Sequence, residues 1–101
     1  MKPLYTVEDV GAVLPLVEEV PYDEETRLGE NLSVCFREAG HILGSASLEL
    51  TAVFNGEPRT IVFSGDIGQR GKPFVRDPYV FREADYLVME STYGDREHLD
   101  P

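Results

Sequence analysis

Residues 32–63 read LSVCFREAGHILGSASLELTAVFNGEPRTIVF, and the alternation within this stretch decides the fold. Leu32, Val34 and Phe36 fall on one face of an extended chain, with Ser33, Cys35 and Arg37 on the other. Leu48, Leu50, Ala52 and Phe54 repeat the pattern, so both segments are predicted to be half-buried strands. Asn55-Gly56, with Pro58 close behind, is the turn chemistry of a hairpin leading into the next strand. That strand, TIVFS (60–64), and a later one within DYLVME (85–90) are apolar through their middles. Continuous apolar runs of this kind suit strands covered on both faces.

Outside this sheet the chain offers one helix. Thr6 is placed to cap it, with Asp9 three residues on completing a capping box. Val7, Val10, Leu14 and Val17 recur at helical spacing, and Pro15 should end or kink the element. The acidic segment VEEVPYDEETRLGEN (17–31) reads as irregular, with a short edge strand around Val20–Tyr22. The expectation is an α/β fold: a mixed sheet with few helices, short of material to cover both faces.

Composition narrows the function. A chain of 101 residues that is 42% hydrophobic holds at most one small core. No run of apolar residues is long enough to span a membrane, and MKPLYTVEDV has no apolar region of a secretory signal. Cys35 is the single cysteine, so no internal disulfide forms and a reducing, cytoplasmic setting is expected. Nine basic against nineteen acidic residues give a net charge of −10, which by itself opposes nucleic-acid binding. The imbalance is uneven: three basic and eleven acidic residues lie before position 58, six and eight after it. Arg70, Lys72, Arg76 and Arg82 stand against Asp77 alone in QRGKPFVRDPYVFR (69–82), a local basic stretch on an acidic body.

Candidate chemistry sits where strands stop. CFREAGHILGS places His41 past one strand, IVFSGDIGQRG places Asp66 past a second, and YLVMESTYGDR places Glu90 at the end of a third. Loops at strand ends, bent by glycines, are where a rigid sheet holds polar groups in position. Imidazole and carboxylate are zinc ligands, but a zinc site normally needs at least three from protein. His98, the only other histidine, lies in the polar tail GDREHLDP and reads as a solvated surface residue. On composition alone His41 is a hydrogen-bonded turn residue, Asp66 turn chemistry and Glu90 a strand terminator. Composition and spacing stop at an α/β domain with a metal-capable corner.

In order, AGHILGSASLEL, IVFSGDIG and LVMESTYGDR resemble the metallo-β-lactamase superfamily, in particular its β-CASP branch of RNA-processing nucleases, which includes the cleavage-and-polyadenylation endonuclease. The resemblance covers most of residues 30–98, and the ESTYG spelling favours the RNA-processing branch. It implies a partial metallo-β-lactamase-like (αββα) domain over residues 1–88, with residues 89–101 opening the β-CASP insert. It implies that His41 is a ligand to one zinc, that Asp66 bridges two zinc ions, and that Glu90 belongs to the catalytic apparatus as a carboxylate orienting a ligand.

The family's main metal motif, His-x-His-x-Asp-His, has no counterpart in residues 1–40, and the remaining histidines would lie beyond residue 101. The expectation is therefore an internal fragment of a two-zinc ribonuclease acting on RNA. By itself the chain would be inactive, metal-free or weakly metal-binding, and prone to self-association through exposed sheet edges. Two other readings stand beside it: a small-molecule hydrolase of the same fold, and a non-catalytic interaction module.

Overall fold

A computed structural model describes residues 1–95; His98 and the end of the 89–101 segment lie outside the described residues. Helix α1 (Val7–Val13) starts with the expected capping box: Thr6 Oγ1 accepts from the Asp9 amide, and Asp9 Oδ2 accepts from the Thr6 amide at 2.8 Å. One 3-10 turn, Leu14–Leu16, follows where Pro15 lacks an N–H. Strands β1 (Glu25–Gly29), β2 (Leu32–Glu38), β3 (Ala46–Phe54), β4 (Glu57–Phe63) and β5 (Tyr86–Val88) form one sheet in the order β1-β2-β3-β4-β5. The first four are antiparallel neighbours, and β5 joins β4 in parallel. The sheet is thus mixed. The β3–β4 hairpin turns on Asn55 and Gly56, both at positive φ (50° and 78°), as its two-residue loop requires.

Two expectations change. The edge strand expected at Val20–Tyr22 is only a single bridge, Tyr22 to Phe36, while the real edge strand is β1. Its sequence, ETRLG, has no apolar alternation: all its residues but the half-buried Thr26 are exposed, and its backbone pairing with β2 holds it in the sheet. In keeping with the expected shortage of cover, the stripe of α1 is exposed, from 84% at Val7 to 48% at Val10, and among the described residues the helix packs on no strand. The second change concerns β5, expected to be covered on both faces: Tyr86, Leu87 and Val88 are 61%, 57% and 54% exposed. An apolar strand needs layers above and below it, and none of the described elements stacks on the sheet.

Pairing register sorts the side chains. Val34, Phe36, Leu48, Leu50, Ala52, Ile61 and Phe63 share one face, continued by Tyr86 and Val88 on β5. The other face carries Ser33, Cys35, Arg37, Glu49 and Thr51, with Val62 the most deeply buried large side chain, 1% exposed. Arg37 dominates that face, pairing with Asp23 at 3.0 Å and Glu49 at 3.2 Å, with its guanidinium 4.4 Å from the Tyr79 ring centre. The radius of gyration, 17.1 Å, exceeds the roughly 13 Å of a compact domain this size, as a sheet with no second layer among the described residues should.

No helix among the described residues is long and apolar enough to cross a membrane. Residues 64–85, which lead from β4 to β5, form an extended strap tied to the sheet by its backbone. Gly68 N donates to Ala39 O (2.8 Å), Tyr79 N to Glu38 O (2.8 Å) and Asp85 N to Thr60 O (2.9 Å).

Candidate functional site

Strand direction brings the three loops together. β2 and β4 both run antiparallel to β3, and β5 runs parallel to β4, so β2, β4 and β5 point the same way. The segments leaving their C-terminal ends therefore emerge along one edge of the sheet. They carry His41, Asp66 and Glu90 respectively. Ligand sites of sheets with parallel strands commonly form at such ends.

Each loop is fixed locally. After β2, Gly40 takes a positive φ of 67°, which turns the chain before His41. Ser45 Oγ accepts from the amides of His41 (3.1 Å) and Ile42 (3.2 Å) and donates to Ile42 O (2.8 Å), closing the turn. After β4, Ser64 is 3% exposed; its carbonyl accepts from Ser47 Oγ (2.6 Å), and its hydroxyl donates to Gly65 O and accepts from the Glu90 amide. Ser64 thus links the Asp66 loop to the Glu90 loop. Glu90 closes the link from its side chain: Oε1 accepts from the Ile67 amide at 2.8 Å, one residue beyond Asp66.

The first and second loops meet at their glycines. A Cβ on Gly68 would stand 1.6 Å from the Gly40 carbonyl oxygen, so only glycine permits this approach. The outcome is that His41 Nε2 and Asp66 Oδ2 lie 3.8 Å apart, with side chains 42% and 73% exposed. They open into a cleft of about 350 Å³ that Glu90, Lys72, Thr92 and Tyr93 also line.

The donor set can be tested against zinc. Two donors at about 2.05 Å on a tetrahedral ion stand roughly 3.3 Å apart, close to the 3.8 Å between Nε2 and Oδ2. The pair therefore fits as one edge of a coordination shell. It does not make a whole shell: among the described residues no three His, Cys, Asp or Glu side chains are grouped to hold a metal. Exposure of both donors leaves room for further ligands from elsewhere.

Of the sequence-identified residues, the structure brings His41 and Asp66 together and sets Glu90 as the anchor of the Asp66 loop. Sequence reading passed over Ser45, Ser47 and Ser64, which hold the loops. Their only signal was position, since each is a small polar residue next to a glycine or at a strand end. Lys72 was grouped with a basic stretch and not with the site, because nothing in the sequence shows that the strap returns to it.

No family model matches the chain. It is 43% identical to a ribonuclease of Thermus thermophilus over 97 residues, covering 96% of this chain and 21% of that protein. An RNase J-like protein of Methanocaldococcus jannaschii is 34% identical over 98 residues, 96% of this chain and 22% of the relative. A transcription termination factor of Cenarchaeum symbiosum is 33% identical over 101 residues, 98% of this chain and 15% of the relative. The chain thus resembles, along nearly its whole length, a segment of proteins named as ribonucleases or termination factors, and spans between 15% and 22% of their length.

Proposed function

We propose that the chain is the segment of a zinc-dependent ribonuclease, of the β-CASP branch of the metallo-β-lactamase superfamily, that supplies two of its metal ligands. The observation that carries this reading is the convergence of His41 and Asp66 to 3.8 Å at the ends of two like-directed strands. Similarity to proteins named as ribonucleases supports RNA as the substrate. In this reading residues 1–88 belong to the metallo-β-lactamase-like domain, residues 89–101 open the β-CASP insert, and the enzyme works in the cytoplasm.

The roles of the chain's own residues follow from their contacts. His41 Nε2 and Asp66 Oδ2 would hold the metal, and Glu90, through the Ile67 amide, with Ser64, through the Glu90 amide, would keep Asp66 in place. Two zinc ions at such a centre supply Lewis acidity and counter-charge for phosphodiester hydrolysis. With two donors in place, the isolated chain binds metal weakly and cleaves nothing.

The test compares RNA cleavage by the 101 residues with cleavage by the polypeptide of the full genomic reading frame, each with and without Asp66→Ala. The expected result is no cleavage by the chain alone, and metal-dependent cleavage by the long polypeptide that Asp66→Ala abolishes. Metal-dependent turnover of a thioester without RNA cleavage would move the assignment to a small-molecule hydrolase. One observation favours a non-catalytic interaction module for the chain by itself: among the described residues β5 has an apolar outer edge that no strand pairs, with all three of its residues exposed.

A further inference from the structure

The strap that leaves the Asp66 loop carries cations that make no ion pair among the described residues. Arg70, Lys72 and Arg76 are exposed, and among the described residues none of them makes an ion pair. The one acid among them, Asp77, is occupied, its Oδ1 accepting from the Gly71 amide at 2.8 Å. On a chain of net charge −10 such a run is a local concentration of positive charge, whereas on the sheet Arg37 is held by Asp23 and Glu49, and Arg59 by Glu57.

Phe74 lies in the middle of the run. It is 94% exposed and sits at a positive φ of 68°, a conformation that costs a side-chain-bearing residue about 1–2 kcal/mol. The ring is open to solvent, so its face is free to stack on a ligand. The strap itself is tied down on either side of these residues, by Gly68 to Ala39 and by Tyr79 to Glu38. Lys72 lines the cleft that His41 and Asp66 share, and Phe74 and Arg76, two and four residues on, line a second recess with Leu43 and Gly44 of the His41 loop. That recess also holds Asp23, which is paired with Arg37, and Glu38.

We infer that Arg70–Arg76 is a track for single-stranded RNA, in which Phe74 stacks on a base while Lys72, flanked by Arg70 and Arg76, holds the phosphates that lead into the His41–Asp66 cleft. Cations along a backbone with an interleaved aromatic ring are the means by which proteins hold single strands without reading sequence. Duplexes fit poorly, because their bases are already stacked and offer no face to Phe74. The acids Asp23 and Glu38 bound the track on one side and direct the phosphates toward Lys72. The inference takes the identity of the polymer from the ribonuclease reading, and its geometry from the strap alone.

The experiment titrates a fluorescent oligouridylate of about twelve nucleotides with the 101-residue chain in chelator, so that no cleavage interferes. Anisotropy is read between about 50 and 200 mM salt. Lys72→Ala and Arg76→Ala are each expected to lower the slope of log affinity against log salt by about 0.7. Phe74→Ala is expected to weaken binding at least about fivefold at every salt concentration with the slope unchanged. Arg59→Ala, on β4 outside the track, should leave both unchanged.

Absence of binding at the lowest salt, equal loss in Arg59→Ala, or equal affinity for a duplex of the same length would each overturn the track. Cobalt binding by the same preparations separates this from the site reading. RNA failure with cobalt retained at His41 and Asp66 removes the track alone, and loss of cobalt binding with the RNA slopes as expected removes the metal site alone.

Discussion

Gly68 and Gly40 are in backbone contact: the Gly68 Cα lies so close to the Gly40 carbonyl that a Cβ would stand 1.6 Å from its oxygen, while the Gly68 amide donates to Ala39 O at 2.8 Å. This contact locks the Asp66 loop to the His41 loop. Gly68→Ala should therefore cost more than about 3 kcal/mol or force the two loops apart. Gly71→Ala is the contrast: its φ is 76° but nothing lies within 4 Å, so about 1 kcal/mol is expected. Urea denaturation of the two variants checks the difference.

Glu90 holds the Asp66 loop from the other side through the Ile67 amide at 2.8 Å. Glu90→Ala should weaken metal binding at His41 and Asp66 about 10- to 100-fold, the usual effect of removing a group that orients a ligand. Glu90→Gln, whose amide oxygen still accepts from Ile67 N, should recover most of it. Cobalt titration of the three proteins distinguishes orientation from charge: if Gln fails as Ala does, the carboxylate's charge matters and not the hydrogen bond.

Arg37 joins Asp23 and Glu49 across the polar face and lies against Tyr79. With its side chain 20% exposed, the pairs are only partly screened, and Arg37→Ala should cost about 2 kcal/mol. Arg37→Lys should recover only part of this, since an ammonium cannot serve two carboxylates and a ring in one plane. Thermal denaturation of both variants reads the effect.

Burial raises the Cys35 thiol above its ordinary value; Arg37 opposes the rise, and Glu49, Asp23 and Glu25 add to it. Once pH exceeds the unfolded thiol's value of about 8.5, the unfolded chain has lost a proton that the folded chain keeps. The folded state then binds more protons, so stability falls as pH rises through this range. Tyr22, also raised by burial and by Glu38, adds a second loss above about pH 10. Urea denaturation across pH should show both declines, and Cys35→Ala should remove the first while leaving the second.

Much of this was legible in the sequence wherever local chemistry decides. The Thr6–Asp9 capping box and the Asn55-Gly56 turn are each specified by a few adjacent residues, and the alternation of β2 and β3 needs only the pleat. Exposure was legible only as a general shortage of covering material, not residue by residue. Val7, Val10 and Tyr86–Val88 are apolar as buried residues are, yet what covers them is not set by their own sequence. β1 escaped notice because an edge strand exposed on both sides needs no apolar period. For the site, glycines and strand ends pointed to His41, Asp66 and Glu90, whereas Lys72 joins them only through the path of the strap.

The most direct measurement is the visible absorption of cobalt titrated into the 101-residue chain and into His41→Ala and Asp66→Ala. A four-ligand zinc site is worth about 10–16 kcal/mol. Half of that, from two donors, corresponds to dissociation constants between about 1 and 200 μM. The expected result is a single weak site in that range, lost in both variants. Binding that survives both substitutions, or no binding by the wild-type chain at millimolar cobalt, would contradict the assignment of His41 and Asp66 as metal ligands.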